Sequence, residues 1–213
     1  MDTKHDRVQV GTRKILERIY GNGRGKAYTS KDFRDIAGHE TVWKALARLS
    51  QDGRIRRVGR GVYDYPPFSE LLGAPSSPDP DAIARALARA HGWTILPTGD
   101  TALNLLGLST QVPAQWQYFS DGPSRTYEWT GGTLVFKRRT NKETSRLSPK
   151  TALVVQALKA LGEDCVDDRT LTVLRTKLTP KEWARALREA RYVTSWVYEI
   201  VKHLAREEKA RHA

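Results

Sequence analysis

The chain has 213 residues, 39% of them hydrophobic, with six tryptophans, one cysteine and a formal charge of +12; it is long enough for two cores and too apolar to be disordered. The lone Cys165 excludes an intramolecular disulfide and a Cys-rich zinc site. The N-terminus MDTKHDRVQVGTRK lacks an apolar leader and no long apolar run follows, so a soluble, cytoplasmic protein with no membrane association is expected.

Val8 to Tyr20 places Val8, Ile15, Leu16 and Ile19 on one helical face, and Gly21, Gly23 and Gly25 end it. Thr29 or Ser30 then caps a short helix through Phe33 and Ile36 to Ala37, with Asp32 in its first turn and Gly38 as the following turn. A third helix is expected from about Glu40 to Gln51, because Val42, Ala45, Leu46 and Leu49 recur at i, i+3, i+4 and i+7. Trp43 lies beside that stripe and is expected to pack. Gly53 stops the helix, and a basic hairpin turns at Gly59-Arg60-Gly61 before Val62, Tyr63 and Tyr65. Helix, helix, helix, hairpin is the order of a winged helix-turn-helix.

Residues 66–80, with five prolines and Ser76 and Ser77, read as a linker in which Phe68, Leu71 and Leu72 should pack against something. Asp79 to Ala90 resumes as an amphipathic helix with Ile83 and Leu87 inward, and Trp93 to Leu96 reads as a short strand. Thr98 is expected to cap a helix through Leu106 that ends at Gly107. Strands follow at Gln115 to Ser120, Ser124 to Trp129 and Thr133 to Arg138, the last two joined at Gly131-Gly132. From Ser148 the pattern is helical, with a capping box at Thr179, Pro180 and Glu182, and a frayed, solvated tail AREEKARHA. The expected fold class is α+β: a winged helix-turn-helix over residues 1–65, the linker, and a mixed domain over 81–213 with a small antiparallel sheet and a helical end.

Residues 1–65 carry 15 Lys/Arg against 8 Asp/Glu, residues 66–140 carry 6 against 6, and residues 141–213 carry 15 against 10. A basic segment that also reads as a helix-turn-helix is the footprint of a nucleic-acid binder; charge alone would also fit an acidic membrane surface or a ribosomal partner. In the third helix Thr41, Lys44 and Arg48 are expected in the DNA major groove, with His39 and Glu40 at its near end. In the hairpin, Arg54, Arg56, Arg57 and Arg60 suit phosphate contact. Strand alternation puts Arg54 and Arg56 on one face and Ile55 and Arg57 on the other, which favours Arg56 and Arg60 as the contacts over Arg57. A second basic stretch, Lys137, Arg138, Arg139, Lys142, Arg146 and Lys150, reads either as a partner contact or as a solvated loop.

Signs of an enzyme are few. Thr98-Gly99-Asp100-Thr101 has the small residues of a nucleotide-binding turn but lacks the Gly-Lys-Ser/Thr of a phosphate loop. The carboxylate pairs Asp79/Asp81 and Asp164 with Asp167/Asp168 do not lie on strands, and the five histidines form no ligand cluster. No catalytic residue, metal or cofactor is expected, and Asp100 reads as a partner of a helix dipole.

The segment VWKALARLSQDGRIRRVGRGVY, followed by GVYDYP, then GWTILPTGDTALNLLGLSTQVPAQWQYFSDGPSR and GGTLVFKRR, resembles the AbiEi family of antitoxins, the DNA-binding members of type IV toxin–antitoxin operons that act in phage defence. The likeness extends over most of residues 10–160. It implies an N-terminal domain that binds inverted repeats in its own promoter and represses transcription. It also implies a C-terminal region that counteracts a co-encoded nucleotidyltransferase-like toxin. From the residues alone, a stand-alone winged-helix regulator and a protein-interaction module built on the same domain remain open.

Overall fold

A computed structural model of the protein describes residues 3–139 and 147–211. The fold is α+β. It divides into two compact units, Met1–Trp93 with Tyr127–Gly132, and Thr94–Thr126 with Thr133–Ala213.

In the first unit, α1 (Thr3–Gly21) packs on α2 (His39–Gln51). Ile15 and Ile19 meet the α2 stripe of Val42, Ala45, Leu46 and Leu49, and Phe33, Ile55 and Tyr63 close the core. A three-stranded antiparallel sheet in the order β1-β3-β2 combines β1 (Ala27–Thr29), β2 (Arg56–Gly59) and β3 (Val62–Asp64). The β2–β3 turn depends on Gly61, whose φ of 73° is a left-handed conformation that side chains disfavour.

The expected second helix, to Ala37, is instead a single 3-10 turn, Ser30–Phe33, followed by turns, and strand β1 lies directly before it. Thr29 and Asp32 do cap it: the Thr29 N–H and hydroxyl donate to the Asp32 carboxylate at 2.8 and 3.2 Å. Tyr28 and Thr29 are buried on the sheet, where they pair with Tyr63 and Val62.

Residues 66–80 are also not a plain linker. They form the small hairpin β4 (Phe68–Ser69) and β5 (Ala74–Pro75). Phe68, Leu71 and Leu72 are 56, 94 and 73% exposed, so the expected packing is absent. Next, α3 (Pro80–His91) buries Ile83 and Leu87 as expected, starts on the Asp79 side chain and ends at left-handed Gly92. It belongs to the first unit, not to the domain expected from residue 81. Arg89 holds it there by pairing with Asp32 at 3.1 Å and donating to the Ala27 carbonyl at 3.0 Å.

The second unit begins with β6 (Ile95–Pro97) and α4 (Asp100–Leu106). Gly99, at φ 56°, occupies the cap position expected for Thr98. Its four-stranded sheet, in the order β6-β7-β9-β8, adds β7 (Trp116–Ser120), β8 (Arg125–Trp129) and β9 (Gly132–Arg138). Strands β6 and β7 are antiparallel, while β7 and β9 run parallel. The tip of the β8–β9 hairpin, Tyr127–Gly132, groups with the first unit. Helices α5 (Pro149–Leu161), α6 (Asp168–Arg175), α7 (Pro180–Glu189) and α8 (Ser195–Arg211) surround fully buried Trp183, with Leu158, Leu174 and Leu204. The capping box at Thr179 and Glu182 forms. The tail expected to fray is helical through Arg211 and buries Glu208, so α8 extends about two turns past Leu204.

Candidate nucleic-acid interface

Helix α2 starts at Gly38, whose extended backbone suits an N-cap, and places Glu40 in its first turn where the dipole favours an acid. Its apolar stripe fixes the helix's rotation, so His39, Glu40, Lys44 and Arg48 point to solvent and Thr41 is half-buried on the flank. Two of these cations have intrahelical partners: Lys44 Nζ is 2.6 Å from Glu40, and Arg48 Nε is 3.9 Å from Asp52. Both pairs are exposed and cost little to exchange for a phosphate. Trp43 does not pack as expected; it is 54% exposed. It sits one helical turn from both His39 and Ala47, about 100° round the axis from Val42 and therefore beyond the edge of the stripe.

The hairpin arginines separate by role. Arg56 Nε and Nη2 donate to the two carboxylate oxygens of Asp64, its cross-strand neighbour, at 2.9 and 2.5 Å, and Nη1 donates to the Ser76 carbonyl at 2.7 Å. Asp64 is buried. All three guanidinium nitrogens of Arg56 are engaged, so the preferred wing contact is a brace between β2, β3 and the loop after β5. Arg54, Arg57 and Arg60 are exposed and carry no ion pair among the described residues. Strand alternation separates Arg56 from Arg57 but does not extend to Arg54 and Ile55, which precede β2; Ile55 is buried in the same core as the α2 stripe. The signal that could have found Arg56 is Asp64: an acid on the returning strand, directly opposite a hairpin arginine, marks an internal pair.

Helix α1 is tied to the turn between the 3-10 segment and α2 through Arg18, which donates to both carboxylate oxygens of Asp35 at 2.7 and 2.6 Å. That bidentate hydrogen bond holds the Asp35 carboxyl below its ordinary pKa.

Residues 14–185 match a family described as "Family of unknown function (DUF6088)". The chain belongs to this family. The match includes α2, the β2–β3 hairpin and most of the second unit, and stops within α7. No curated protein matches this DUF6088 chain. Among solved structures it is similar to the crystal structure of the RV2827C protein from Mycobacterium tuberculosis, at 16% identity and a TM-score of 0.41, over 92% of this chain and 81% of that one.

The second basic stretch of this DUF6088 chain is less open than its sequence suggests. Lys137, Arg138 and Arg139 are exposed at the end of β9, but the Arg139 guanidinium lies 4.5 Å over the Phe119 ring. Lys150 pairs with Glu182 at 2.7 Å, while Lys142 and Arg146 lie outside the described residues. Segment 98–107 has a structural use: the buried Thr101 hydroxyl accepts the Gln117 N–H at 2.7 Å, tying α4 to β7. Asp167 N-caps α6 by accepting the Thr170 N–H at 2.7 Å. No cluster of three or more His, Cys, Asp or Glu suited to a metal occurs among the described residues. No described helix is long and apolar enough to cross a membrane.

Proposed function

We propose that the chain is a double-stranded-DNA-binding antitoxin that represses its own promoter. In this reading the first unit is a winged helix-turn-helix, α2 enters the major groove, and the β2–β3 hairpin lies along the phosphates. The observation that carries it is the pairing, within one unit, of an outward face on α2 with a hairpin whose Arg57 and Arg60 are exposed and have no ion pair among the described residues. Free arginines at the tip of a tight turn suit phosphate contact, and the net charge supplies the long-range attraction. The antitoxin role rests on the resemblance to AbiEi antitoxins; the second unit would carry it, acting against a co-encoded nucleotidyltransferase-like toxin in the cytoplasm. No catalytic role is assigned to any residue.

The test is a gel shift of the full chain with the DNA upstream of its own reading frame. Retarded DNA that weakens steeply with salt supports the reading. Absence of binding at low salt refutes it. A second reading, in which the same unit docks a protein, draws on the exposed Leu71 and Leu72. It predicts co-purification with the product of the neighbouring gene and no shift of DNA.

A further inference from the structure

We propose that Trp43 reads a thymine methyl group in the major groove, making it a specificity-determining residue of the DNA site; this rests on the DNA-binding reading above. An exposed tryptophan is uncommon, because the side chain brings more apolar area into a core than any other. Here the inward face of α2 is already filled by Val42, Ala45, Leu46 and Leu49. The indole is 54% exposed, and it has neither a ring partner nor a hydrogen-bond partner among the described residues. One turn back on α2 lie His39 and Glu40. The solvent-facing half of the helix also carries exposed Lys44 and Arg48, and Arg57 and Arg60 are exposed on the hairpin of the same unit.

An exposed apolar group in a unit whose outward helix half and hairpin carry cations fits a partner that is anionic at its rim and apolar at one point. Duplex DNA offers that pattern in the major groove, where the C5-methyl of thymine is the apolar feature between two lines of phosphates. Ala47, one turn further along α2 and half-buried, is too small to hold the duplex away from the indole. The division of labour follows from the pairing already seen. Lys44 and Arg48 must exchange Glu40 and Asp52 for phosphates or base edges, whereas Trp43 gives up nothing but water.

The experiment is selection of binding sites from a pool of duplexes randomised over about 20 base pairs, two turns of the double helix, with the wild-type chain and with Trp43→Ala. Because about half of the residue is exposed, the variant is compared at a temperature where its unfolding curve shows it folded. The wild type should recover a motif with thymine at a defined position, and Trp43→Ala should lose the preference there while keeping the rest. Replacing that thymine with deoxyuridine, which removes only the methyl, should weaken wild-type binding about fourfold, the transfer value of one methyl-sized group. It should leave the variant's affinity unchanged. An identical motif from both proteins, or equal sensitivity to deoxyuridine, overturns the assignment of Trp43 while leaving DNA binding intact. A wild-type chain that retains no duplex at all overturns both.

Discussion

Arg56 and Arg57 are neighbours in a basic hairpin, and replacing each with alanine should do opposite things. Arg56 is bonded through Nε and both Nη nitrogens to Asp64 and to the Ser76 carbonyl, and the Asp64 side chain is only 5% exposed. Arg56→Ala leaves that carboxylate buried without its counter-charge, which costs about 3–5 kcal/mol where both partners are buried. The arginine side chain is 29% exposed, so water can partly replace it and the low end, about 3 kcal/mol, applies. For a unit of this size that corresponds to a fall of roughly 12–20 °C in the unfolding midpoint. The assay is thermal and urea unfolding followed by circular dichroism, with DNA affinity measured separately at a temperature where the variant is folded. Arg56→Lys should recover only part of the stability, since an ammonium cannot span both carboxylate oxygens. Arg56→Met with Asp64→Leu should recover most of it and bind DNA as the wild type does. An Arg56→Ala chain within about 1 kcal/mol of wild type but weak on DNA would make Arg56 a phosphate contact and defeat the reasoning.

The double variant Arg57→Ala with Arg60→Ala should keep the wild-type midpoint and weaken binding to all DNA sequences; the log–log salt slope should flatten by about 0.9 for each phosphate no longer neutralised, roughly 2 in all. A titration across salt concentrations reads this directly, and an unchanged slope removes both residues from the interface. Glu189 accepts from the Ser148 N–H and hydroxyl, both at 2.8 Å, and from Arg185 Nε at 2.5 Å. Burial pushes its carboxyl up, but these donors outweigh burial and bring it down to about 2 from 4.5. A depressed acid stabilises the fold above its unfolded pKa and stops doing so as the pH falls through the folded value, so the window runs from pH 4.5 down to about 2. Glu189→Gln should therefore cost roughly 2 kcal/mol at neutral pH after solvent screening at Arg185, with the gap to wild type closing toward the lower end of that window. A pH-independent gap in urea unfolding would count against it. Leu71→Ser should change stability by less than about 0.5 kcal/mol, because a side chain 94% exposed has no packing to give up; a larger drop in the same urea assay would mean that the β4–β5 hairpin is covered.

What is legible in the sequence is what local rules decide. The α2 stripe, the Gly53 and Gly107 stops, the Thr179 box and the inward Ile83 and Leu87 each follow from a period or a cap within one element, and each is present. The departures fall where a partner distant in sequence decides the outcome. Strand β1 exists because Tyr28 and Thr29 pair with Tyr63 and Val62 on β3, and nothing in Ala27–Thr29 announces that pairing. The tail after Leu204 is polar enough to fray, yet α8 continues, with Ala205 in the core of the second unit and Glu208 buried. Arg56 and Trp43 show the same limit at the candidate site. One has the composition of a contact and is spent on Asp64 and Ser76; the other has the composition of a core residue and faces water.

That exchange alters how the proposed interface would work. With four interchangeable arginines, the hairpin would be a diffuse cationic patch, able to shift along a duplex at little cost. With Arg56 pinned to Asp64 and to the loop after β5, the base of the hairpin is rigid, and of the arginines within the hairpin Arg57 and Arg60 carry no ion pair among the described residues, nor does Arg54 just before it. Two phosphate contacts at the end of a braced hairpin define a register relative to α2, because Ile55, the residue just before β2, packs in the same core as the α2 stripe. A fixed register is what turns an exposed indole into a reader of one base step, since a helix able to slide would average its contacts over neighbouring bases. The same brace makes a prediction for specificity: in Arg56→Lys, which loosens the hairpin without removing charge, discrimination between the selected site and random duplex should fall more than the affinity for random duplex does. Equal weakening on both DNAs, measured by competition at one salt concentration, would mean that the brace contributes stability alone.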